Sequence, residues 1–241
     1  MDTSNTTLGD LARDVYTIFT GKVADDLYTN ERDINSLITA GNIELESLQM
    51  EADWVYLRVQ SHLLGIIAAG ATTMPLGDNV YKISDEANDK LRIVDPAGKI
   101  ISQWDITTPE DLAYGDTNQL NASQDIFRAD GNKVAVIREE VFFSRNFTEK
   151  EVGGRVLVPA YLKFNKLSLE DMNAPIQVRP RALLTYGIAK RLAPPDFVRN
   201  TQYSSLVAEY NDLLSKAIDQ NSNSNTAGTM FIMGSAIRGH R

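Results

Sequence analysis

A chain of 241 residues with 43% hydrophobic content can bury a sizeable core, and its lack of cysteine excludes disulfides and thiolate chemistry. The formal net charge of −8 excludes a protein that wraps nucleic acid with its general surface, though local basic patches remain open. The first residues, Met1 to Leu8, have neither a basic nor an apolar leader region, and the longest apolar run, Leu63 to Ala71, is too short for a bilayer. Neither a secretory signal nor a membrane span is expected.

The chain reads in three zones. The first predicts helices. Thr7 followed by Asp10 forms a capping-box pattern, and Leu8, Leu11, Val15, Ile18 and Phe19 recur at helical spacing until Gly21. A second helix is predicted from about Asn30, with Ile34, Leu37, Ile38, Leu45 and Leu48 on its apolar face. Gly41 interrupts that face and implies a close helix contact. Trp54, Leu57 and Leu64 extend the apolar pattern onto a further helix or a bent extension.

The second zone predicts strands. Leu91–Val94 and Ile100–Trp104 flank the turn sequence Asp95-Pro-Ala-Gly98. Asp125–Arg128 and Val134–Ile137 flank Asp130-Gly131-Asn132 as a second hairpin. Val141–Phe143, Val156–Val158 and the alternation from Tyr161 to Leu169 add candidates, and Thr107–Ser123 reads as a long loop. In the third zone Leu183, Leu184, Gly187, Ile188 and Leu192 form a helical stripe that Pro194-Pro195 breaks. Leu206, Val207, Tyr210, Leu213, Leu214 and Ala217 mark a last helix from about Thr201 to Asp219.

This order predicts an α+β fold: a helical bundle from residues 1–62 and 171–219, a β-rich insertion over 63–170, and an extended C-terminal tail over 220–241. The tail starts as a polar spacer, Gln220 to Gly228. It continues through Met230, Phe231, Ile232 and Met233, then Ile237, and ends at Arg238, His240 and Arg241, with no acidic residue. Four clustered apolar residues cannot offset the entropy of ordering such a segment alone, so it is expected to order on a partner.

No catalytic constellation emerges. His62 falls in an apolar neighbourhood that favours a core or boundary role, and His240 lies in the tail. There is no nucleophile elbow, zinc-ligand spacing or calcium loop. Gly153-Gly154 lacks phosphate-loop spacing and reads as a tight turn. Glu139-Glu140 and Glu149–Glu151 read as solvated strand ends. No metal or other cofactor is expected, and the chain reads as a non-enzyme. Arg179, Arg181, Lys190, Arg191 and Arg199 gather in the third zone. There they supply a solvated face or a surface for an acidic neighbour, including another copy of this chain, with Glu44, Glu46 and Glu51 as complementary groups.

One succession of segments resembles a known family. An apolar-striped helix before Trp54-Val-Tyr56 is followed by Thr73-Met-Pro-Leu-Gly-Asp78 and Val80-Tyr-Lys-Ile83. Pro159-Ala-Tyr-Leu162 then ends a β-region, and Pro180-Arg-Ala-Leu-Leu-Thr-Tyr-Gly-Ile-Ala-Lys-Arg191 opens a helical hairpin. This order is similar to that of the head-to-tail adaptors of short-tailed bacteriophages, the tail tubular A or gatekeeper-like family. The resemblance implies a structural virion protein made in the host cytoplasm and placed in the neck. It would form a dodecameric ring between the capsid portal protein and the tail nozzle, with DNA passing through the lumen without sequence-specific binding. It also implies that Met230, Phe231, Ile232, Met233, Ile237, Arg238, His240 and Arg241 dock on the portal. The basic group Arg179, Arg181, Lys190 and Arg191 would then lie between subunits. The alternatives are another ring-forming neck or tail component (a stopper, nozzle or head-completion protein) and, from a different class, a small soluble enzyme with an unrecognised site.

Overall fold

The computed structural model describes residues 7–21, 31–84, 86, 88–113, 131–170, 175–199 and 201–236, the last of these as backbone alone beyond Ser222. The described residues are mixed α and β, with six helices and eight strands. The chain divides into two compact units, one of Met1–Val55 with Phe164–Arg241 and one of Tyr56–Lys163. Both junctions fall seven residues before the boundaries read from the sequence at 62/63 and 170/171.

In the helical unit, α1 (Leu8–Thr20) starts and ends as the sequence predicts. The Thr7 hydroxyl accepts from the Asp10 N–H at 3.3 Å and the Asp10 carboxylate accepts from the Thr7 N–H at 3.0 Å. Gly21 closes the helix in the left-handed region at φ 67°, which glycine adopts without a Cβ clash. Helix α2 (Glu31–Glu51) buries Leu37, Ala40, Leu45 and Leu48. Helix α4 (Arg181–Leu192) packs against α1, α2 and α6 and buries Leu183, Leu184, Ile188 and Ala189. The proline pair after it ends α4 and starts the short α5 (Pro195–Val198).

The last helix, α6, runs from Thr201 to Ala236. The predicted end at Asp219 and the extended tail from Gln220 are therefore corrected: the backbone stays helical through the polar spacer and the Met230–Met233 segment. Four apolar residues cannot order that segment alone, but it grows from a helix already formed. A nucleated helix extends at far lower cost than it starts.

The β-unit holds β1 (Arg58–Ile66), β2 (Thr73–Pro75), β3 (Val80–Ile83), β4 (Lys90–Val94) and β5 (Ile100–Ile106). The short helix α3 (Pro109–Ala113) then precedes β6 (Lys133–Ile137), β7 (Glu140–Phe143) and β8 (Arg155–Leu162). They form one sheet in the order β1-β8-β4-β5-β6-β7-β2, with β3 also pairing β8. All pairs are antiparallel except β5 with β6. The sheet curls, so that Met74 on β2 approaches Gly65 on β1, where a Cβ would lie 3.5 Å from the sulfur. Its concave side encloses Trp104, Leu91, Ile93, Val141, Val156 and Val158.

Two readings change here. The further helix or bent extension expected through Leu57 and Leu64 is a single 3-10 turn at Val55–Leu57 followed by strand β1, on which Leu64 lies. The alternation from Tyr161 to Leu169 is a strand only to Leu162. Ile137 and Glu140 pair in a hairpin that turns at Arg138, held at φ 60°. The expected partner strand at 125–128 lies outside the described residues.

Candidate functional site

The charged side chains that the sequence marks as a surface group instead organise the interior of the helical unit. Glu44, on α2, falls on the same stripe as Leu37, Gly41 and Leu48, so the helix carries it inward and it is 0% exposed. The Arg191 Nε on α4 donates to its Oε2 at 2.6 Å, and the Tyr210 hydroxyl on α6 donates to its Oε1 at 2.5 Å. Arg191 also donates to the Ser47 hydroxyl at 2.7 Å. Room for the carboxylate comes from Gly187, where a Cβ would stand 2.5 Å from the Glu44 side chain. One carboxylate thereby joins three helices.

The same junction fixes Tyr210 from its other side. Lys190 Nζ sits 3.6 Å from the centroid of the Tyr210 ring, a cation–π contact. Burial raises the Tyr210 hydroxyl's pKa well above its usual value, and the hydrogen bond to the Glu44 carboxylate raises it further. Tyr186 on α4 is raised in the same direction by burial and by its hydrogen bond to Glu209 on α6. At the start of α4, Arg181 donates to Asp14 of α1 at 2.7 Å through Nε, and to the Asp10 carbonyl at 3.3 Å.

Of the four basic residues proposed for contacts between copies, Arg181, Lys190 and Arg191 thus have partners within the chain, while Arg179 is exposed ahead of α4. Of the acidic group proposed to face them, Glu46 and Glu51 are exposed, but Glu44 is buried and is withdrawn from that surface. The position of Glu44 four residues before Leu48 and three after Gly41 was the available signal.

A second clamp holds α6 farther along. The Val55 N–H donates to Asn221 Oδ1 at 2.7 Å, and Asn221 Nδ2 donates to the Asp53 carbonyl at 2.8 Å. Asn221, read from the sequence as part of a loose spacer, ties the segment after α2 to α6. Within that segment, the buried Trp54 donates to the Leu48 carbonyl at 2.7 Å. Of the residues proposed to dock on a portal, Met230, Phe231, Ile232 and Met233 lie on the α6 backbone beyond this clamp. Ile237, Arg238, His240 and Arg241 lie outside the described residues.

The β-unit has its own buried carboxylate, which corrects the reading of Glu149–Glu151 as a solvated strand end. Glu151 is 1% exposed. It accepts from Arg145 at 2.9 and 3.0 Å, from the Ser102 hydroxyl at 2.5 Å, and from the Thr148 N–H and hydroxyl at 2.8 and 2.9 Å. Burial alone would push its pKa up. The hydrogen bonds from Arg145, Ser102 and Thr148 outweigh burial and lower it to about 2. Arg145 also lies 4.5 Å over Trp104, within an edge-on cluster of Trp104, Phe143 and Phe147. Next to Glu151, Gly153 turns at φ 80°, and a Cβ on Gly154 would meet Ile93 at 2.7 Å, so the glycine pair is a tight turn.

His62 is half-buried on β1 opposite Val158. Among the described residues no group of three or more His, Asp or Glu is placed to hold a metal ion. No described helix is long and apolar enough to cross a membrane. The arrangement offers rigid carboxylate junctions in each unit and a terminal helix anchored at Tyr210 and Asn221. No protein-family model matches this chain, and no curated protein matches it significantly.

Proposed function

We propose that this protein is a head-to-tail adaptor of a short-tailed bacteriophage, a structural ring component between the capsid portal and the tail nozzle. The observation that carries the reading is the insertion of one β-unit, Tyr56–Lys163, between the two halves of a helical unit. In this reading the helices α1, α2, α4 and α6 are the bundle of such an adaptor. The polar clamps at Glu44 and Asn221 support it, because they fix the base of the helix that carries the docking segment. Beyond Ser222, α6 carries Met230–Met233 toward the portal, and the basic residues Arg238 and Arg241 follow in the sequence. The apolar residues fill a groove there and the arginines meet portal carboxylates.

The net charge of −8 per copy suits a conduit, since a ring of acidic copies repels DNA phosphates from its lumen. Repetition around a dodecamer lets each docking contact be weak while the assembly holds. The experiment is co-purification with the portal protein of the same phage, using the full chain and a chain ending at Ser222. The full chain is expected to bind and the shortened chain to lose binding with an unchanged melting profile. Undiminished binding by the shortened chain rules out the docking assignment.

A further inference from the structure

The convex face of the β-unit carries a mixed apolar and cationic surface. Residues opposite one another on neighbouring strands share a face, and Val156 and Ile93 occupy the core side. The other side therefore presents two rows across β1, β8, β4 and β5. One row runs Leu63, Leu157, Arg92 and Gln103, and the other runs Ile66, Arg155 and Ile100 around Val94, which is itself buried. Leu63 is 50% exposed, Ile66 65% and Ile100 45%. Arg92 is half-buried and has no hydrogen bond or ion pair among the described residues. The buried Arg155 Nε also lacks a hydrogen-bond partner among them.

Two like faces cannot cover each other, because their arginines would be opposed. The complement has apolar side chains with a carboxylate between them. Helix α2 offers that set on its outward stripe. Met50 is the most exposed large apolar residue among those described, Ile43 is 46% exposed, and Glu46 lies between them. Among the described residues Glu46 meets Lys166 alone, in a 3.7 Å pair with both side chains largely exposed, which a better partner displaces at little cost. The dimensions agree. Ile43 to Met50 spans about 10 Å of helix, and β1 to β5 spans about 14 Å of sheet.

We infer that the Leu63–Ile66–Ile100 face of one copy receives the Ile43–Glu46–Met50 stripe of α2 from a second copy, with Arg92 meeting Glu46. The two surfaces differ, so the contact is heterologous and repeats from copy to copy until rotation closes it. It rests on the ring reading above and supplies that ring's subunit contact.

The absence of native cysteine permits a direct capture test. Full-length Met50→Cys and Ile66→Cys chains are mixed under mild oxidation without a portal, and the disulfide dimers are separated by mass. The mixed dimer is expected to exceed both like dimers. Arg92→Glu in the Ile66→Cys chain is expected to abolish the excess, and Glu46→Lys in the Met50→Cys chain to restore it. A mixed dimer no more abundant than the like dimers, indifference to Arg92→Glu, or failure of the charge swap overturns the contact. Loss of portal binding on truncation after Ser222 is read separately and bears only on the adaptor assignment.

Discussion

Each unit of this protein buries one glutamate against an arginine, and the two are used differently. Glu44 bonds to Arg191 and Tyr210 across sequence separations of 147 and 166 residues. Glu151 takes most of its bonds from residues three and six positions away, with Ser102 the one distant donor. The first therefore holds helices that only the complete fold brings together, while the second shapes a turn and fastens it to the sheet. A carboxylate that joins distant elements should govern cooperative stability, and one that shapes a turn should govern local order and acid response.

The two tryptophans make the comparison measurable, because Trp54 lies in the helical unit and Trp104 in the β-unit. Chains with one of them replaced by phenylalanine report on each unit separately. The largest effect is expected for Glu44→Ala, which leaves the Arg191 and Tyr210 donors facing a cavity and costs about 3–5 kcal/mol. Denaturant unfolding followed by Trp54 should show the loss, with little change in the Trp104 signal. Equal shifts in both would break the distinction.

Glu151→Gln is expected to cost about 3 kcal/mol near neutral pH, in the Trp104 signal, through loss of charge-assisted hydrogen bonds. The direction of its pH dependence follows from its lowered pKa. The unfolded carboxyl titrates near 4.5 and the folded one near 2. Its contribution is therefore complete above about pH 4.5 and is lost as the pH falls toward about 2. Acid titration of the Trp104 transition should show this slope in the native chain and a shallower one in Glu151→Gln. Identical slopes would remove Glu151 as the acid-sensitive group.

Asn221→Ala is expected to cost about 1–2 kcal/mol, because it removes two hydrogen bonds to backbone groups. Hydrogen exchange should rise at Asp53–Val55 and along α6 near position 221, with the β-unit unaffected. The smallest stability effect is expected for truncation after Ser222, which keeps both clamps and should leave both tryptophan transitions in place.

Much of the fold is legible in the sequence because it rests on local chemistry. The Thr7–Asp10 capping box, the left-handed Gly21, the Asp95–Gly98 turn and the Pro194-Pro195 break each act within a few residues of themselves. The structure departs from the reading where distant partners decide the outcome. Glu44 and Glu151 both look like solvent-facing acids until the arginine that offsets their desolvation is known, and Arg191 lies 147 positions from Glu44. Glu44 leaves a trace, since it stands on an apolar stripe. Glu151 leaves none that spacing reveals. The continuation of α6 past Asp219 was hidden for a related reason: local propensity disfavours the Asn- and Ser-rich stretch, but Asn221 finds its partners at Asp53 and Val55.

If the protein is a ring component of a phage neck, as proposed, rotational symmetry reveals it. Electron cryomicroscopy of the purified virion, focused on the region below the portal, should show a closed ring of copies of this chain. The C-terminal helix of each copy should meet the portal. A neck map without this chain, or the chain found there as a single copy, would rule out the proposed role.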